Sequence, residues 1–159
     1  MTQEELMKKE MAIAEAIFGT ESDPDQMPIN DETRKKLNSL FDGWLETEFD
    51  EAGEPISWVV LMPTQRSLAE EFVSGVITEK ELLEKTQPQE IYDALYIVSI
   101  ITVPEHRGKN LSLKVLERVI PRVPLTPDAL YITWPTTLEG RGALQKYAAY
   151  LGKEIKIRE

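Results

Sequence analysis

The chain predicts an α+β domain of the three-layer α/β type, with a mixed, mostly antiparallel central sheet and helices on both faces. Three observations carry that class. Apolar residues recur at helical spacing over residues 3–18 and again from about Asp31 to Asp42. The period then changes to two from Trp44 to Met62, around one turn-forming segment. From Ala94 onward the order is strand, helix, strand, helix, strand. A length of 159 residues fits one domain and buries a core without metals or disulfides.

The elements follow in order. Leu6, Ile13, Ala14, Ile17 and Phe18 mark the inner stripe of the first helix, and Gly19 suits a left-handed stop. Thr20 to Pro28, with two prolines, reads as a surface loop. Asn30 is placed to cap the second helix, whose stripe is Leu37, Leu40 and Phe41 and whose end is Gly43. Leu45, Thr47 and Phe49 then alternate with Trp44, Glu46 and Glu48. Asp50 to Pro55 is a hairpin turn by composition, and Ile56 to Met62 returns as a strand that Pro63 should terminate.

Residues 64–92 read as a helical insertion. Leu68 and Phe72 lie one turn apart before Gly75, and Thr78 with Glu81 forms a capping-box pattern ahead of Leu82 and Leu83. These helices hold too little apolar surface for a core of their own. They are expected to dock on the rest of the domain, either as a lid or wall that narrows access to a site, with Glu70, Glu71, Glu79 and Glu81 favouring cations, or as a dimerisation or stabilising element remote from it. Ala94 to Val103 is apolar enough to be buried on both faces. A loop over Pro104–Gly108 leads to a helix over Asn110–Ile120, and Pro121, Pro124 and Pro127 mark an irregular connection. Ala129–Trp134 is a second buried strand, Arg141–Leu151 an amphipathic helix closed by Gly152, and Glu154–Arg158 a short last strand.

Composition removes several classes of function. With no cysteine and one histidine, His106, there is no disulfide framework and no thiolate zinc site, and a Ser-His-Asp triad is disfavoured. No metal is expected. No apolar run nears the roughly 18 residues that span a bilayer, and the acidic start lacks the basic region of a secretory signal, so the expected compartment is the cytoplasm. A net charge of −10 repels phosphate backbones; nucleic-acid and membrane partners are not expected, whereas a cationic partner is. A homodimer is compatible with the sequence.

The chemistry concentrates in Ile97–Ile120. A buried strand enters a loop containing Arg107, Gly108 and Lys109, and a helix follows at once. The first turn of such a helix offers amides without intrahelical acceptors and the positive end of the helix dipole, an arrangement suited to an anion. An ordinary strand-to-helix turn kept soluble by its basic residues would read the same way.

Thr102-Val103-Pro104-Glu105-His106-Arg107-Gly108-Lys109-Asn110-Leu111-Ser112 resembles motif A of the GNAT superfamily of N-acetyltransferases, V-x-P-x-x-R-G-x-G-x-G/A ahead of a helix. Ala129–Trp134, Arg141–Gly152 and Glu154–Arg158 are similar to that family's fifth strand, fourth helix and sixth strand, and the Trp44–Met62 hairpin extends the likeness to about two-thirds of the chain. The resemblance implies one GNAT-like domain over 1–159: N-terminal helices to 43, a hairpin over 44–63, the insertion over 64–92 and a cofactor-binding half over 94–159. It implies acetyl-coenzyme A, or another acyl-coenzyme A, as cofactor. Arg107, Gly108, Lys109, Asn110, Leu111 and Ser112 would hold its pyrophosphate, and the strand at Ile101 and Val103 its pantetheine arm. It further implies that Ala94–Val103 and Ala129–Trp134 are adjacent parallel strands that diverge at their C-terminal ends.

The sequence departs from the family where motif glycines become Asn110 and Ser112, and where Ala148 takes the place of a tyrosine used by many members as general acid. Tyr147 and Tyr150 flank that position, and the strand Tyr96–Val103 has no carboxylate. Candidate catalytic residues are therefore Tyr96 and Ser99, as donors to a leaving thiolate, Glu46 as a base acting through water, and Tyr147. Each has a plainer reading, as packing or solvated-face residues. Two functions follow: acyl transfer to a small-molecule or peptide amine, or a non-catalytic GNAT-like binding module.

Overall fold

Every period-two segment enters one five-stranded sheet. In this computed structural model, which describes residues 1–18, 30–134 and 138–159, the order is β1 (Leu45–Phe49), β2 (Pro55–Thr64), β3 (Tyr92–Thr102), β4 (Leu125–Thr133) and β5 (Ile155–Ile157). β1–β2 and β2–β3 are antiparallel, whereas β3–β4 and β4–β5 are parallel. The mixed sheet matches the predicted class, and the antiparallel β2–β3 ladder is the longest. The expected loop over 20–28, Gly19, and the side chains of Ala14, Ile17 and Phe18 lie outside the described residues.

Helices cover both faces. On one, α2 (Asp31–Leu40), α3 (Arg66–Val73) and α4 (Glu79–Lys85) bury Leu37, Leu40, Phe72 and Leu82 against Met62, Ala94, Tyr96 and Ile132. On the other, α5 (Leu111–Val119) and α6 (Leu138–Leu151) bury Val115, Leu116, Val119, Leu144 and Tyr147 against Val59, Leu61, Leu95, Ile97 and Tyr131. The N-terminal α1 (Gln3–Phe18) joins the first layer through Met7, while its Ile13 meets a smaller cluster of Ile56, Trp58, Val103 and Leu111. Two caps form as predicted: Asn30 Oδ1 accepts from the Thr33 amide at 2.9 Å, and Thr78 with Glu81 closes a reciprocal capping box.

Several elements differ from the sequence reading. Trp44 precedes β1 and packs into the first core layer, its indole N–H donating to Asn38 Oδ1 at 2.6 Å, so it does not share the side of Glu46 and Glu48. Pro63 does not end β2, which runs on to Thr64 with Pro63 opposite Leu95. β1 pairs no further than Val60, so a residue without an N–H is tolerated at Pro63. β4 begins at Leu125 and carries Pro127 across a register shift in its pairing with β3. The insertion is a packed wall of the core: Ala69, Phe72 and Leu82 are fully buried. Glu79 turns inward and Glu81 is engaged in its cap, leaving only Glu70 and Glu71 of the four glutamates exposed. β3 is buried from Ala94 to Ile97 but half-exposed from Val98 to Thr102, which corrects the expectation of cover along its whole length.

Candidate functional site

The half-exposed end of β3 arises from pairing. β3 and β4 stay in register from Ala94 opposite Leu130 to Ile97 opposite Thr133, where β4 ends and Thr133 Oγ1 donates to the Ile97 carbonyl at 2.9 Å. Val98–Thr102 continue for five more residues with β2 on one side and, among the described residues, no partner on the other. A register shift leaves Val98 without an opposite residue, a bulge that bends the strand where it parts from β4. The parallel ladder thus stops at Ile97 and Thr133, and the edge of β3 beyond it is an open slot among the described residues. Ser99 and Ile101 lie along its strand wall.

Beyond that strand the chain makes a 3-10 turn over Pro104–His106 and enters α5. Val103, buried at the foot of the turn, donates its amide to the Ile56 carbonyl at 3.0 Å. Gly108 has φ +84° and Asn110 φ +57°, the only non-glycine residue with positive φ among those described. The left-handed backbone at position 110 is thus adopted by asparagine, which tolerates it better than most residues. Asn110 caps α5 by backbone alone, so the amides of Leu111, Ser112 and Leu113 lack intrahelical acceptors. Arg107, Gly108, Lys109 and Asn110 are exposed around them. Lys109 Nζ lies 3.1 Å from His106 Nδ1, which ties the histidine to the loop.

Ser112 replaces the motif's last small residue without blocking the loop. Its hydroxyl turns toward the sheet and lies 2.7 Å from Thr102 Oγ1 and 3.3 Å from Ser57 Oγ. Ser57 also donates to the Ile101 carbonyl at 3.1 Å. Tyr147, on α6, is buried and hydrogen-bonds to Ser112; burial holds its phenol above the usual range, with the Ser112 bond opposing. Of the candidate proton-transfer groups, Tyr147 is therefore placed on the α5 side of the slot. The first turn of α5 and the open end of β3 are joined through hydroxyls that no single-residue pattern marks.

The remaining candidates fall elsewhere. Glu46 accepts from Arg118 Nε at 2.9 Å and from Arg122 Nη1 at 3.1 Å, and Glu48 accepts from Arg118 Nη1 at 2.9 Å. These ion pairs clamp α5 to β1 and engage both oxygens of Glu46. Tyr96 is fully buried on the α3–α4 side, its hydroxyl donating to Glu79 Oε2. Burial and the Glu79 charge hold the Tyr96 phenol well above its ordinary range. The sequence reading grouped Glu79 with Glu70, Glu71 and Glu81, because an acid at the first position of a capped, surface-type helix carries no signal that it turns inward.

Among the described residues no helix is long and apolar enough to cross a membrane, and no group of His, Cys, Asp or Glu side chains is placed to hold a metal ion. The candidate site is a strand-to-helix loop with left-handed Gly108 and Asn110 beside the end of a parallel ladder in a three-layer α/β domain. No protein-family model matches the chain, and no curated protein is significantly similar to it. Among solved structures it is similar to Chaetomium thermophilum Naa20 in complex with a bisubstrate analogue, at 15% identity over 78% of this chain and 58% of that one, TM-score 0.48. It is also similar to a histone acetyltransferase HPA2 and related acetyltransferase of Corynebacterium glutamicum, at 14% identity over 92% and 80%, TM-score 0.44. A tetramutant protein of Bacillus halodurans shares 15% identity over 93% and 81%, TM-score 0.42.

Proposed function

We propose that the protein is an acyl-coenzyme A-dependent N-acyltransferase that moves an acetyl or other acyl group to an amine. The observation that carries this reading is the continuity of the slot at Val98–Thr102 with the left-handed Gly108–Asn110 loop and the open amides of α5. Acyl-coenzyme A would supply an activated thioester. The chain's own groups fit it: the amides of Leu111–Leu113 with Arg107 and Lys109 receive a diphosphate, and the unpaired strand edge receives the amide-bearing pantetheine arm. Strand amides near Ile101 would polarise the thioester carbonyl as charge develops on its oxygen. The net charge of −10 favours a cationic acceptor, such as a polyamine, an amino-sugar or a basic peptide.

Calorimetric titration with coenzyme A, and with pantetheine lacking the diphosphate, tests this reading. Coenzyme A binds more tightly than the fragment, and reversing charge at both Arg107 and Lys109 weakens it by about 1–3 kcal/mol. Equal affinity of the double variant and the wild type removes the loop from the site. Ala148, where many family members place a tyrosine, favours a second reading, a coenzyme A-binding module without turnover. Tight binding without thiol release in the presence of any amine would select it.

A further inference from the structure

The first helix is fastened by an acid. Among the described side chains of α1, Glu10 alone is buried, while Leu6, Met7 and Ile13 are half-buried and Lys8, Met11 and Ala12 exposed. A glutamate is seldom buried without a cation beside it. Here the partner is the hydroxyl of Thr47, which reaches across from β1 to Glu10 Oε1. Among the described residues no backbone hydrogen bond joins α1 to another element, so side chains hold it down. Besides Glu10 these are Lys9 on Glu54 at 2.5 Å, Gln3 with Asn38 at 3.5 Å, and the apolar contacts of Met7 and Ile13.

The charges around Glu10 are engaged elsewhere. On α1 the positions one turn away, Leu6, Met7 and Ile13, are apolar, and Lys9 is bound to Glu54 of the β1–β2 turn. Glu46 and Glu48, on either side of Thr47, bond to Arg118 and Arg122 on the α5 side of the sheet. Trp58 of β2 stands opposite Thr47. α2 meets α1 at Gln3, two turns from Glu10, and its Arg34 pairs with Asp31. Burial raises the Glu10 carboxyl to about 7, and the Thr47 bond opposes that rise.

The same side of the helix leads to the loop of the candidate site. Ile13 lies three residues beyond Glu10 and packs against Ile56, Trp58, Val103 and Leu111. Val103 and Leu111 bracket the 104–110 loop: one precedes the Pro104–His106 turn and the other opens α5. α1 therefore covers the apolar footing on which Arg107–Asn110 stands. We propose that α1 is a proton-controlled strap, which neutral Glu10 holds down and ionised Glu10 loosens, and that through Ile13 it steadies the loop that, on the acyltransferase reading, holds coenzyme A. The docked helix binds the Glu10 proton more tightly than the released helix does. Docking is therefore strongest at low pH and weakens as pH rises through about 7. Above that point the ratio of docked to released helix falls about tenfold per pH unit.

The test is amide hydrogen exchange on the full chain from pH 6 to 8.5, corrected for the intrinsic pH dependence of exchange. Wild type is expected to lose about 30-fold in protection across residues 3–13 and at the Val103 and Lys114 amides. Protection in both segments lies well below that of Leu95–Ile97, so that exchange there reports local release. Glu10→Gln keeps the shape, cannot ionise, and holds its protection across the range. In Ile13→Ala the pH dependence stays in residues 3–13 and disappears from the loop amides. A wild type that is flat with pH, an equal fall in Glu10→Gln, or equal protection in all three segments overturns the strap. A fall confined to residues 3–13 in the wild type overturns its hold on the loop. Coenzyme A at 100 times its calorimetric Kd raises wild-type protection in residues 3–13 by about tenfold or more, because coupling between two sites is reciprocal. Binding with that protection unchanged overturns the link to the site. No calorimetric binding to the wild type is the separate failure of the cofactor reading, and the pH series alone then decides the strap.

Discussion

Glu10 gives the sharpest test of the fold's electrostatics. It lies on α1, is 3% exposed, and accepts from Thr47 Oγ1 at 2.6 Å. Burial raises its carboxyl from 4.5 to about 7, with the Thr47 bond opposing. The folded state therefore holds this proton more tightly than the unfolded chain does. The neutral carboxyl's contribution is complete below about pH 4.5 and is lost as pH rises through about 7. At about 1.4 kcal/mol per pH unit, the loss amounts to about 3 kcal/mol by pH 8. Glu10→Gln keeps the size and an oxygen for Thr47 but cannot ionise. Urea unfolding of both proteins from pH 4 to 8.5 checks the difference, which cancels the titration of every other acid. The variant should match wild type near pH 4 and exceed it by about 3 kcal/mol at pH 8, or about 6–12 °C in Tm for a chain of this size. Parallel stability curves would refute the reasoning, because they require Glu10 to have the same proton affinity in both states.

Three further outcomes follow from named contacts. Arg118→Ala removes the bonds to Glu46, Glu48 and the Thr47 carbonyl; with 41% of the side chain exposed, the loss is about 1 kcal/mol in urea and shrinks in 1 M salt. Thr86→Val leaves the buried Thr64 hydroxyl without its 2.6 Å partner and costs about 1–3 kcal/mol in denaturant unfolding, a value that ordinary surface substitutions do not reach. Asn110→Gly preserves both fold and coenzyme A affinity. Asn110→Val, forced to φ +57°, loses about 1–2 kcal/mol of stability and also weakens binding; equal behaviour of the two variants would show that the left-handed turn is not needed.

The elements legible in the sequence are those with strong local causes. Asn30 and the Thr78–Glu81 box start their helices where capping chemistry demands, and Val115, Leu116 and Val119 share a stripe that marks the inner face of α5. What escaped was decided by neighbours. Pro63 is a strand breaker only where a partner needs its N–H, and whether β1 reaches that far is not a property of Pro63. β3 reads as uniformly apolar, yet cover ends at Ile97 because β4 ends at Thr133, a length set by another segment. In the candidate site, the loop over Arg107–Ser112 was legible as a strand-to-helix turn because backbone conformation and charge are encoded together over a few residues. The inward turn of Glu79 was not, since its partner Tyr96 lies 17 positions away and on another element.

The two motif departures bear differently on the slot. Asn110 supplies by tolerance what glycine supplies by freedom, so its cost is confined to one residue's backbone. Ser112 adds a group that must be satisfied, since a buried hydroxyl without a partner would cost about 1–3 kcal/mol. Its partners are Thr102 at 2.7 Å and Ser57 at 3.3 Å, with Tyr147 bonded to it from α6. β2, β3, α5 and α6 are therefore joined at one hydroxyl beside the Arg107–Asn110 loop. A glycine there would leave Thr102, Ser57 and Tyr147 with one partner fewer, and α5 could shift relative to the open strand. The serine thus replaces backbone closeness with side-chain anchoring, and it does so from the sheet side, leaving the helix amides directed at the loop.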